Sequence, residues 1–257
     1  MDALNALMES LERNVRPATK PVGVKLAKAG ETPPEKAKSP RATFKKRFAV
    51  CQGMTLARTF EWTMVFTADD HACPFGSIFM GHIQPDGLLS GSVSGYYQDD
   101  PEVGKLMEST YPRHPEGQYD QVWLAPLTRC DFTPDLVAVY GTPAQILTLI
   151  HGANFGVGAG VKSTSTGRFG CSAWLAGVLA SGECTYMVPG PGERMFAGTQ
   201  DHEMSFIIPA SKFKAVAEGL DYVRSKGAFR YPILNMGLMS EPALPANYVA
   251  LFGERDK

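Results

Sequence analysis

The stretch from Gln121 to Gly152 constrains the fold more than any other part of the chain. QVWLAPL (121–127) is a near-continuous apolar run and PDLVAVYG (134–141) is a second, so both read as buried strands of one sheet. Thr142, Pro143 and Gln145 then supply an N-cap, a first-turn proline and the third-position glutamine of a capping box. Ile146, Leu149 and Ile150 follow at helical spacing, and Gly152 is expected to stop the helix. Strand followed by capped helix is a β–α unit, and the rest of the chain has to be compatible with it.

Most of it is. An amphipathic opening helix carries Leu4, Met8 and Leu11, and PVGVKLAK from Pro21 reads as a strand. Residues 47–60 are helix-compatible despite Gly53, WTMVFT is a strand, Pro74 opens a helix, and another lies near Glu102 to Ser109. CSAWLAGVLAS reads as a helix ended by Gly182, CTYMV as a strand, PGPGER as a turn and EMSFIIPA as a strand. Ser211 is expected to cap a last helix with Phe213, Val216, Leu220 and Val223 on one stripe. The fold class is therefore α/β, or α+β, with a mixed sheet and flanking helices.

The expected organisation is an N-terminal helix and first strand (1–28), an exposed Lys/Pro-rich connection (29–46), a main α/β domain (47–240) and a C-terminal tail (241–257). Arg47-Phe48-Ala49-Val50-Cys51 and Arg168-Phe169-Gly170-Cys171 each open a helix that leads to a strand and a turn. Their order points to an internal duplication with halves 20–118 and 119–232.

Composition narrows the function. With 25 Lys+Arg against 26 Asp+Glu there is no global basic field for nucleic acid or anionic membrane. No apolar run approaches a bilayer span and no signal peptide opens the chain, so the expected compartment is the cytoplasm. The five cysteines are odd in number and scattered, which argues for free thiols or metal ligands over disulfides. The expected partner is a small-molecule substrate or cofactor; a homo-oligomer is compatible with the sequence but not specified by it.

Several familiar motifs fail in detail. In GVGAGVKST from Gly156, Val161 stands where a phosphate loop needs glycine, and no strand precedes it. No serine-hydrolase elbow and no histidine pair at metal-ligand spacing occurs; only His71 and His82 lie near a cysteine, Cys73. The cysteines carry more. Cys51 and Cys171 lie near predicted helix starts, where unpaired N–H groups favour a thiolate, and Cys73 precedes Pro74 at a third helix entry. That placement suits a nucleophile, a metal ligand or a cluster ligand.

PVGVKL, Cys51-Gln52, Cys73 with Gly76, LAPL (124–127), PDLVAVYGTPAQ, Cys171, Pro191-Gly192-Glu193-Arg194 with Phe196, and Arg230-Tyr231-Pro232 together resemble the bacterial and archaeal family known as domain of unknown function 169. The resemblance implies no particular activity. Its pattern includes Cys51, Cys73 and Cys171 but not Cys130 or Cys184. This chain departs from it at Glu193, where aspartate is common, and in the long stretch before Cys51. The leading expectation is a centre in which Cys51, Cys73 and Cys171 bind an iron–sulfur cluster or another thiophilic metal, leaving a position open for substrate or redox chemistry. Arg194 and Arg47 or Arg168 are the candidates to hold an anionic group beside it. The alternatives are a metal-free thiol enzyme and a non-catalytic cofactor carrier or sensor.

Overall fold

The computed structural model describes residues 2–85, 90, 91, 95 and 97–227. The Arg230-Tyr231-Pro232 segment and the 241–257 tail lie outside the described residues. A seven-stranded mixed sheet is built from β1 (Val22–Ala27), β2 (Met64–Phe66), β3 (Gln121–Pro126), β4 (Leu136–Gly141), β5 (Lys162–Ser163), β6 (Thr185–Met187) and β7 (Met204–Pro209). Its order is β2-β3-β1-β4-β7-β6-β5, with β5–β6 parallel and the other pairs antiparallel. The two apolar runs that dominate the sequence share this sheet but are not neighbours, because β1 lies between them and pairs Val24 with both Leu124 and Leu136.

Read outward from the β1–β4 seam, the order is β1, β3, β2 on one side and β4, β7, β6 on the other, with every one of these pairs antiparallel. Alternation along the strands feeds a core on each face. Leu136, Ala138 and Tyr140 point to one core, which also holds Val50, Met54, Phe79 and Trp174. Val137 and Val139 point to the other, packed by Leu7 and Leu11 of α1 (Asp2–Asn14), Ile146 and Leu149 of α6 (Pro143–Asn154), and Val216 and Leu220 of α9 (Phe213–Ser225).

The first face carries α3 (Val50–Phe60), α4 (Pro74–Phe79), α5 (Pro101–Ser109, through Met107) and a π-helical turn (Ser172–Gly177) running into α7 (Val178–Ser181). Segment 29–46 is largely exposed yet anchored. It contains α2 (Pro40–Phe44), its Ser39 hydroxyl donates to buried Asp70 at 2.6 Å, and Phe44 stacks on Trp62 with centroids 5.6 Å apart.

Three expectations are corrected. Gly152 does not stop α6, which runs two residues further; it serves a close helix crossing, since a Cβ there would stand 2.6 Å from Leu220 Cγ of α9. Ser211 makes no cap bond, because it sits in a 3₁₀ turn (Ala210–Lys212) that enters α9 directly. PGPGER is not a turn but the start of α8 (Pro191–Ala197), with Pro191 in its first turn and Glu193 reaching back to the N–H of Gly190 at 3.0 Å.

Candidate functional site

Cys51, Cys73 and Cys171, 22 and 98 residues apart along the chain, line one cavity of about 210 Å³. Each arrives at a helix entry. Cys51 is the second residue of α3, Cys73 caps α4 ahead of Pro74, and Cys171 is helical immediately before the π turn. The fourth wall is the start of α8, where Cys51 Sγ lies 4.0 Å from the Gly192 carbonyl oxygen. The packing is crossed: α3 rests on α8, while α4 rests on the π turn. A thiol from one end of the chain is thereby set against the helix entry of the other.

The remaining lining is mainly aromatic. Phe75 and Phe169 stack at 4.5 Å, and Phe196 and Tyr97 complete the wall. A second cavity, of about 310 Å³, shares Cys73, Phe75 and Phe196 with the first. Cys130 and Cys184 stay away from both, packed into the core on the opposite face of the sheet.

An arginine and a glutamate also line this apolar setting. The Arg168 guanidinium lines the cavity between the rings of Tyr97 and Phe169, at 4.8 and 4.7 Å, and pairs with wholly buried Glu108 at 3.8 Å. Glu193 is buried: its Oε1 accepts from the Tyr140 hydroxyl at 3.0 Å and its Oε2 from Gly190 N–H. Behind Tyr140, Arg58 lies over the ring at 4.3 Å and pairs with Glu203, through Nη2 at 3.0 Å. Burial raises the Glu193 carboxyl above its ordinary range, outweighing the bonds from Gly190 and Tyr140.

The expectation that helix starts favour thiolates is corrected. Burial pushes Cys51 up to about 12 and Cys171 well above the ordinary thiol value, with the charges of Glu193 and the neighbouring cysteines adding to it. The helix amides oppose this but are the smaller effect. Among the described residues no three His, Cys, Asp or Glu side chains are grouped as a site for one metal ion. The histidines serve each other instead, His71 Nε2 lying 2.9 Å from His82 Nδ1.

Of the three candidate arginines, Arg168 is at the cavity. Arg194 turns its guanidinium away to the Gln200 carbonyl and to Asp201, both at 3.0 Å, and Arg47 is exposed outside the lining. Glu193 and Tyr140 were not among the sequence-based candidates; the helix-start signal of Pro191 with Glu193 at the third position would have flagged the former.

A three-layer α/β fold with a cysteine-lined cavity on one face of the sheet is thus the class the geometry defines. The chain belongs to the domain of unknown function 169 family, described as uncharacterised ArCR, whose model matches residues 10–219. No curated protein and no solved structure matches it. No helix among the described residues is long and apolar enough to cross a membrane.

Proposed function

We propose that the cavity holds an iron–sulfur cluster ligated by Cys51, Cys73 and Cys171, and that the protein is a cytoplasmic metalloenzyme acting on a small molecule there. The observation that carries this reading is the convergence of those three thiols, and of no other cysteine, on one cavity. Three soft donors suit a thiophilic centre, and a cluster spreads its ligands farther apart than a single ion does. The raised thiol values fit the same reading: with no cation to neutralise them, thiolates are costly here, so the pocket is poorly suited to a free thiol nucleophile.

A cluster with three protein ligands supplies an iron with an open position, for binding a small molecule or exchanging electrons. The chain's own residues supply the surroundings. Phe75, Phe169 and Phe196 make the lining apolar, and Arg168, held by Glu108, presents positive charge to an anionic ligand. The absence of any disulfide among the five cysteines suits a reducing compartment.

Protein purified without oxygen is expected to carry iron and acid-labile sulfide. Cys51→Ser, Cys73→Ser and Cys171→Ser should each lower both, while Cys130→Ser and Cys184→Ser should not. Iron-free protein after anaerobic reconstitution would overturn the proposal.

A further inference from the structure

We infer that the wall formed by Pro191, Gly192 and Glu193 is the ligand-accepting side of the cysteine cavity, and that Gly192 determines what enters by having no side chain. This rests on the cluster reading. Three walls each bring one thiol, whereas α8 brings none and lines the cavity with Pro191, Gly192, Glu193 and the Phe196 ring. The crossed packing makes this asymmetry meaningful. Cys73 and Gly190 each stand immediately before a proline that opens a short helix, and those two helices lie against the π turn and α3 respectively. Where one half of the sheet presents sulfur, the other presents glycine.

The two glycines differ in what they leave open. A Cβ at Gly190 would overlap the Arg168 carbonyl oxygen, so that position is closed by backbone. At Gly192 an added Cβ would meet only Phe196 ring carbons, at 3.7 Å, ordinary contact, and both residues line the cavity. Both oxygens of Glu193 are already bound, by Tyr140 and by Gly190 N–H, so this carboxyl is held back. With the Arg168 guanidinium lining the same cavity, the chemistry that fits is a small ligand with an anionic donor group.

Cyanide is a suitable probe, because its stretching band shifts when it binds iron. Anaerobically loaded protein is expected to show a bound-cyanide infrared band. Gly192→Cys, which adds a fourth thiol to the lining, and Gly192→Val, which adds bulk there, should keep iron and sulfide yet lose the band. Met195→Ala, altering an exposed side chain on the same helix, should retain it. Thermal unfolding of each variant establishes that it is folded, and two substitutions guard against one failing to fold. A cyanide band of wild-type strength in the loaded Gly192 variants, or none in loaded wild type, overturns the inference; protein without iron overturns the cluster reading beneath it.

Discussion

Gly170 and Glu193 fit one another: a Cβ on Gly170 would overlap Glu193 Oε2 and stand 2.8 Å from its Cδ. Gly76 of α4 is a contrast, since a Cβ there would meet Val50 Cγ1 at 3.5 Å, ordinary contact. Of the two, only Gly170 has to be small for the residue facing it to have room. Gly170→Ala is therefore expected to push the carboxyl off Tyr140 and cost about 1–3 kcal/mol. Urea unfolding in a double-mutant cycle checks this, since the cost should shrink when Glu193→Ala removes the clash. Additive costs would mean the two residues are not coupled.

Glu193 also gives a pH dependence. Its carboxyl is raised in the folded protein, so above about pH 4.5 the native state retains a proton that the unfolded chain has released. Stability from this group consequently falls as pH rises, by at most about 1.4 kcal/mol per unit. In metal-free protein, wild type should lose stability relative to Glu193→Gln as the pH is raised above about 4.5. A constant difference would show that the carboxyl ionises normally.

The His71–His82 pair works in the opposite direction. Burial pushes His71 down to about 3 and His82 down to about 4, and mutual repulsion adds to the effect on His71. The unfolded chain takes up protons near pH 6.5 that the folded pair refuses, so stability is present above that pH and is lost on acidification towards 4. Both groups together are worth on the order of a few kcal/mol. His82→Gln should flatten the acid limb of the stability–pH curve measured by denaturant titration.

The helix pair α6–α9 tests the corrected role of Gly152. Gly219→Ala would drive its Cβ into the Gly152 carbonyl oxygen, which is backbone and cannot yield cheaply. Gly152→Ala meets Leu220 Cγ and Cδ2 at 2.6 and 2.8 Å, which a side chain relieves more easily. We expect Gly219→Ala to cost about 2–4 kcal/mol and Gly152→Ala about half of that, both exceeding the helix-propensity gain of about 1 kcal/mol. Thermal unfolding gives the order, and equal values would contradict it.

Local signals were legible where they were self-contained. Thr142 and Gln145 cap α6 as expected, and the apolar runs of β3, β4 and β7 are all strands. Strand order was not legible, because β1 inserts between β3 and β4 through pairing that no local pattern encodes. Gly152 was misread because a glycine at a helix crossing looks the same in sequence as one that ends a helix. For the site, three cysteines at helix entries identified residues that line one cavity. Glu193 left only the helix-start signal it shares with Pro191, while Tyr140 and the aromatic wall depend on packing between distant segments and left no comparable trace. Nor did the spacing show that burial would outweigh the helix amides at Cys51 and Cys171.

That last balance can be measured directly on metal-free protein. With Cys51 pushed up from 9.0 to about 12, its thiolate fraction at about pH 8 is roughly a thousandfold below that of an unperturbed thiol. Its alkylation by iodoacetamide, followed by peptide mass mapping, should be slower than a model thiol by a similar factor. The rate should rise about tenfold per pH unit and recover fully in denaturant. Burial is the main cause and the Glu193 charge the next, so Glu193→Gln should accelerate the reaction at alkaline pH without changing the limit reached in denaturant. Rapid alkylation of the folded protein near neutral pH would instead mean that the thiolate is stabilised without a metal. It would put the metal-free thiol enzyme, the alternative to the cluster, first among the readings of this cavity.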